Sequence, residues 1–189
     1  MTSLLVLYLF SVRGWSATAA AVALGFVQLG GAAARVIAGR WSDVRDERIA
    51  PFRRLAGGAG VLLLAAAALA SAPDAVLVPL LMGGGVLAMS WNGLSFTAAA
   101  EISGGAQAGR AMGMQNTLMR TAGAVVPVTL GVLAAHGSWR AAFVVIGVAP
   151  LLGRALLGPL VEDEDERRRA REARLSARSS PSPSAPQLR

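Results

Sequence analysis

The sequence predicts an all-α, polytopic membrane helix bundle, with five full transmembrane helices preceded by a partial one. Three observations carry that expectation. Of the 189 residues, 54% are hydrophobic and only 15% are charged, at a mean hydropathy of +0.52, whereas a soluble domain of this size carries about 25% charge. The charge is also crowded to one end, with six acids and seven arginines in positions 161–189. The remainder has too little polar surface to cover a water-soluble globule. It divides instead into apolar runs near the roughly 20 residues that cross about 30 Å of hydrocarbon.

Residues 1–12 come first. Ser3–Val12 is apolar but too short to span, and it lacks the basic start and small-residue cleavage site of a secretory signal. It reads as the outer half of a helix whose beginning is missing. Full spans are expected at 16–38, 55–72, 75–98, 112–135 and 139–160, giving a transmembrane domain over 1–160. Residues 161–178 read as a charged cytoplasmic helical extension. There Asp163/Arg167, Glu164/Arg168 and Asp165/Arg169 place opposite charges four apart, a spacing that supports a solvated helix. The Ser- and Pro-rich stretch 179–189 reads as a disordered tail.

Loop charges orient the bundle. Segment 35–54 carries six arginines and the connection 99–111 carries Arg110, while 13–15, 71–74 and 136–140 carry only Arg13 and Arg140. Basic loops stay inside, so loop 39–54 and the C-terminus are expected in the cytoplasm, with the chain multi-pass in the plasma membrane. The lipid bilayer is then its first partner. Trp15 and Trp139 fall at the outer interface and Trp41 at the inner one, as an aromatic belt requires.

The net charge of +7 comes entirely from arginine, with no lysine. Beside long apolar runs such arginines mark topology rather than a nucleic-acid surface, and no nucleic-acid partner is expected. With no Cys and a single His, His136, the sequence offers neither a metal site nor thiolate chemistry. It has no Ser/His/Asp constellation, phosphate loop or cofactor motif. An enzyme is not expected, and no cofactor is implied.

Polar residues within apolar spans usually face a cavity or a neighbouring helix. They are unevenly spread. Gln28 lies in 16–38; Ser90, Trp91, Asn92, Ser95 and Thr97 lie in 75–98; Gln115, Asn116, Thr117, Arg120, Thr121 and Thr129 lie in 112–135. The spans 55–72 and 139–160 have almost none, so three helices read as cavity-lining and two as lipid-facing packing. At 1.5 Å per residue, Asn92 lies about 9 Å, Arg120 about 12 Å and Gln28 about 15 Å from the cytoplasmic ends. Gln28, Trp91, Asn92, Asn116 and Arg120 are the candidate cavity residues. Arg120 stands out, because no Asp or Glu lies inside any span and Glu101 is the nearest acid. It needs an anionic ligand, an acid from elsewhere, water or backbone carbonyls.

Gly123, Pro127 and Gly131 recur every four residues along one stripe, a spacing that permits close helix approach. Pro127 in mid-span is the hinge candidate. The Gly30-Gly31, Gly57-Gly58 and Gly83–Gly85 runs give other helices small surfaces as well.

The segment 25–48, GFVQLGGAAARVIAGRWSDVRDER, resembles the eighth span and following cytoplasmic loop of the major facilitator superfamily. In that family a Gly-x-x-x-Asp-Arg-x-Gly-Arg-Arg type motif follows the second helix of each six-helix half. Gly39 and Asp43 keep the Gly-x-x-x-Asp frame, and Arg45 and Arg48 supply charge nearby. Val44 replaces the usual basic residue, and Asp46 stands where the second Gly is expected. Asp43 is suited to a helix N-terminus, such as that of span 112–135, where the dipole favours an anion. Its arginine neighbours are suited to bridging adjacent helix ends. The stretch 91–135 is similar to the tenth and eleventh spans of the same family, and GSWRAAF at 137–143 to the start of its twelfth.

The resemblance covers residues 1–165 and implies the C-terminal half of such a transporter, truncated within the seventh span. It implies that Gly39, Asp43, Arg45 and Arg48 form a gating loop. Spans seven, eight, ten and eleven then line the cavity, while nine and twelve pack outside. The implied function is transport of a small solute by alternating access. The partner is the N-terminal half of the same transporter or a second copy, and Arg120 favours an anionic small-molecule substrate. The other reading is a non-transporting membrane half-bundle that acts as scaffold or partner subunit.

Overall fold

The computed structural model describes residues 2–136 and 139–179. These form helices α1 (Thr2–Ser11), α2 (Ala17–Arg45), α3 (Ile49–Ala68), α4 (Asp74–Ser90), α5 (Asn92–Ser103), α6 (Ala108–Ala135), α7 (Trp139–Leu156) and α8 (Gly158–Ser179), with no strand among the described residues. Five stretches are long and apolar enough to cross a membrane: Ala17–Arg45, Ile49–Ala68, Asp74–Ser103, Ala108–Ala134 and Trp139–Ala170. The chain is the all-α, multi-pass bundle its composition predicts. Gly137, Ser138 and the expected disordered tail beyond Ser179 lie outside the described residues.

The helices begin and end for local reasons. Ser16 caps α2 with its hydroxyl, which accepts the Ala19 N–H at 3.2 Å. At the other end Asp46 adopts a left-handed conformation, φ 51° and ψ 38°, and its N–H returns to Asp43 O. That cap sets a boundary the hydropathy misses. Arginine is a good helix former, so α2 continues through the basic residues 35–45, and the expected loop 39–54 shrinks to the turn Asp46–Arg48. For the same reason α3 starts at Ile49 and carries Arg53 and Arg54 within it. Pro159, in the first turn of α8, has no N–H to continue α7 and separates the two helices.

The span Asp74–Ser103 is articulated at Trp91, between α4 and α5. Hydroxyls flank the joint, with Ser90 donating to Leu87 O at 2.7 Å and Ser95 to Asn92 O at 2.9 Å. Such back-bonding loosens the helical ladder and bends helices. Pro127, by contrast, sits inside an α6 that runs unbroken to Ala135.

Packing follows the small residues. A Cβ placed on Gly60 of α3 would lie 2.9 Å from Gly147 O of α7, and one on Gly84 of α4 would lie 2.8 Å from the Leu63 side chain of α3. Gly30, Gly31 and Gly85 bring α2 and α4 together in the same way. As a result α3, expected to face lipid, is the most enclosed span, with 44% of its apolar window buried against 11% for α6. The Gly123 and Gly131 stripe does not serve this purpose: nothing lies within 4 Å of a Cβ at either position. The main core sits among α1, α2, α3, α4 and α7. There Tyr8 meets Trp139 and Phe143 with ring centroids 5.0 and 4.9 Å apart.

Candidate functional site

The cavity candidates lie along α2, the α4–α5 joint and α6. Gln28, Asn116 and Arg120 are exposed, and Trp91 and Asn92 are partly buried at the joint. Asn116 and Arg120 stand one turn apart on α6. No hydrogen bond or ion pair joins any two of the five, and Arg120 has no such partner among the described residues. Glu101, its nearest acid in the sequence, is engaged elsewhere. Trp91 stacks on Phe52 of α3 at 5.2 Å, with 17° between the ring planes.

Three residues outside that set shape the joint. Gln115 Nε2 donates to Ser95 Oγ at 2.6 Å, tying α6 to α5, while its buried Oε1 has no partner. Arg35 reaches from α2 to Met89 O at 3.2 Å, and its side chain lies where a Cβ on Gly93 would be, 3.4 Å away. Arg35, within the expected span 16–38, is bound to the carbonyl end of α4. The signal for it was the unbroken helical pattern running from Ala32 past Gly39.

The densest chemistry is at the turn between α2 and α3. Arg48 forms an ion pair with Asp43 and donates from Nε to Glu101 Oε1 at 3.1 Å and from Nη1 to Ser42 Oγ at 2.8 Å. Its side chain is only 16% exposed. Burial opposes the charge, but the hydrogen bond that Arg48 donates to Asp43 and the negative charge of Glu101 outweigh it, holding the guanidinium above its ordinary value. Arg48 therefore links the end of α2, the start of α3 and the end of α5.

The remaining members of the expected gating loop behave differently. Arg45 lies over the Trp41 ring at 5.4 Å, with Arg54 over the same ring at 5.1 Å, a cation–π arrangement that leaves Arg45 outside the Arg48 cluster. Gly39 has open space around it. Asp43 pairs with Arg48, and the carboxylate that does sit on a helix N-terminus is Glu164 of α8. It accepts the main-chain N–H groups of Arg48 and Ile49, the latter at 3.0 Å. Arg168 of α8 also meets Glu47 at 3.5 Å. Between α8, α5 and the turn lies a cavity of about 210 Å³, walled by Ile49, Ala98, Ile102 and Leu160 and rimmed by Arg48 and Asp163.

The opposite end of the bundle has its own tie. Arg13 donates to Ala70 O at 2.7 Å and Ala72 O at 3.0 Å and pairs with Asp74 at 3.4 Å, while Trp15 Nε1 donates to the same carboxylate at 2.7 Å.

This distribution, with packing glycines in the core and charge gathered at the turn after the second helix, coincides with a family match. The model of the Major Facilitator Superfamily matches residues 1–187. The chain belongs to that superfamily. An uncharacterized MFS-type transporter of Mycobacterium tuberculosis is 36% identical to it over 147 residues, covering 78% of this chain and 33% of its own length. A second such protein, from another strain of that organism, is 35% identical over 147 residues, with the same coverage of 78% and 33%. The chain thus spans about one third of the length of these superfamily relatives. No solved structure matches it. Within the superfamily's frame, Asp43 and Arg48 are the motif-bearing residues that meet in space, whereas Glu101, Glu164 and Ser42 complete the cluster from positions the motif does not name.

Proposed function

We propose that this chain works in secondary transport, moving a small solute across the plasma membrane by alternating access together with a second membrane bundle. In this reading the Arg48 end and α8 face the cytoplasm, and the Arg13 end faces outward. Gln28, Trp91, Asn92, Asn116 and Arg120 contribute to the solute cavity, and Gly39, Asp43, Arg45 and Arg48 to the gating loop. The observation that carries it is the Arg48 cluster. One partly buried guanidinium ties three helix ends through Asp43 and Glu101, and relative motion of these helices changes that tie. An exposed Arg120 with no partner among the described residues favours an anionic solute, since a carboxylate would supply the missing charge. Pro127 is the hinge of this reading, and the second bundle is the remainder of a longer transporter.

A half-bundle acting as partner subunit is the other reading. The wide apolar faces of α2 and α6 favour it, with Phe26 62%, Leu29 71%, Leu118 62% and Val128 68% exposed. The test is deletion and restoration of the gene in the source cell, with accumulation of a panel of radiolabelled carboxylates and neutral solutes. Changed accumulation of a carboxylate that Arg120→Ala fails to restore supports the first reading. Unchanged accumulation of every solute overturns it and leaves the subunit reading.

A further inference from the structure

The sequence gives α3 a poor beginning. Its N-cap is Arg48, which makes no side-chain capping bond, and its first turn carries no acid. Arg53 and Arg54 follow within the same helix. A helix N-terminus carries roughly half a positive charge and several N–H groups that the helix itself leaves unbonded. Basic residues there are unfavourable, and the turn holding Arg48 would fray. Pro51 removes one of the unbonded donors. Among the donors that remain are those of Arg48 and Ile49.

Both are taken by a single carboxylate from α8, more than 100 positions further along the chain. Glu164 accepts the Arg48 N–H, and both of its oxygens lie within reach of the Ile49 N–H, at 3.3 and 3.0 Å. The second attachment of α8 is the ion pair of Arg168 with Glu47 in the same turn. Beneath α8 the cavity of about 210 Å³ shows that apolar contact along this face is incomplete. Charge-assisted hydrogen bonds are the stronger part of the attachment. The backbone that Glu164 holds is that of Arg48, whose guanidinium lies between Asp43 and Glu101.

We propose that Glu164 is a positioning residue for the loop gate, capping α3 from α8 and thereby fixing Arg48 between Asp43 and Glu101. The role in gating rests on the transport reading above; the capping does not. In it α8 is an arm whose docking and release set how firmly the turn is held.

The experiment uses the full chain in nanodiscs. Limited trypsin digestion is followed by mass spectrometry at the α8 arginines Arg168, Arg169 and Arg174. Glu164→Ala is expected to speed cleavage there about tenfold, as expected for the loss of charge-assisted bonds. Glu166→Ala, an exposed position on the same helix with the same change of charge, is expected to leave the rate within about twofold. A second measurement reads Arg48 itself, as the coupling between Arg48→Ala and Glu101→Gln in a double-mutant cycle with and without Glu164→Ala. The coupling is expected to fall by about half or more once the cap is gone. Glu164→Gln, which keeps the shape and an acceptor, serves if the alanine variant does not fold. Equal cleavage of the Glu164 and Glu166 variants, or coupling unchanged by loss of the cap, overturns the proposal. Where transport is measurable, turnover is expected to fall while KM holds. If cleavage and coupling shift but turnover does not, the cap stands and its part in gating falls.

Discussion

Arg13 and Asp74 close the end of the bundle opposite Arg48, 3.4 Å apart, with the guanidinium also spending two hydrogen bonds on the carbonyls of Ala70 and Ala72. The turn after α3 is thus wrapped around a side chain from the α1–α2 connection. Arg13→Ala removes the donors for both carbonyls and is expected to destabilise the bundle by about 1–3 kcal/mol. Asp74→Asn keeps an acceptor for Trp15 Nε1 and is expected to cost less, about 1 kcal/mol or below. Unfolding in mixed micelles ranks the two, and equal losses would show that the ion pair dominates over the carbonyl bonds.

At the other end, Arg48 and Glu101 are expected to be energetically coupled. Arg48 is partly buried and also pairs with Asp43, so a double-mutant cycle of Arg48→Ala with Glu101→Gln is expected to give about 0.5–3 kcal/mol. Raising salt from 0.1 to 1 M (Debye length about 10 to about 3 Å) is expected to reduce it only in part, because the guanidinium is largely shielded.

Gly60 tests the contact of α3 with α7. Its Cβ would fall 2.5 Å from Leu151 Cγ and 2.9 Å from a backbone oxygen, so neither neighbour gives way without moving a helix. Gly60→Ala is expected to cost about 1–3 kcal/mol. Gly131→Ala meets open space and is expected to gain about 0.5–1 kcal/mol from helix propensity. Thermal unfolding of both in detergent checks the contrast; a loss at Gly131 would mean that α6 packs against something there.

Arg120→Ala is expected to leave stability within about 0.5 kcal/mol, as for a partnerless exposed side chain. For an anionic solute, KM is expected to rise about tenfold or more, the scale of one charge-assisted contact, with Arg120→Lys recovering part of it. Unchanged KM removes Arg120 from the solute path.

The helices were legible because apolar length alone announces a membrane span, and each of the five expected full spans overlaps a helical stretch, with 75–98 divided between α4 and α5. Their ends were not. The expected span stops at 38, whereas the helix runs to Arg45 and is capped by Asp46, whose left-handed backbone no hydropathy records. Asp43 and Arg48 were visible because they sit in a short motif frame. Glu164 was not, since one acid among five in Glu162–Glu166 looks like any solvated charge until the fold brings it to α3. Arg35 entered the sequence reading only as a topology charge, so its bond to Met89 O was not foreseen. The role of Gln115 depends on Ser95, twenty positions earlier, a pairing that only packing reveals.

The length of α2 has a mechanical meaning. Its 29 residues make a rod of about 43 Å, against roughly 30 Å of hydrocarbon. A tilt near the usual ~20° absorbs only a small part of the excess. In the proposed orientation the last turns stand in the headgroup region, with Trp41 and its two guanidinia at the water line. Such a rod is a lever. Swung by about 10° around its midpoint, it carries its Arg48 end through about 4 Å, comparable to the whole span of an ion pair. In the proposed transport reading, small rocking of this rod is magnified at the turn into the difference between a closed latch and an open one.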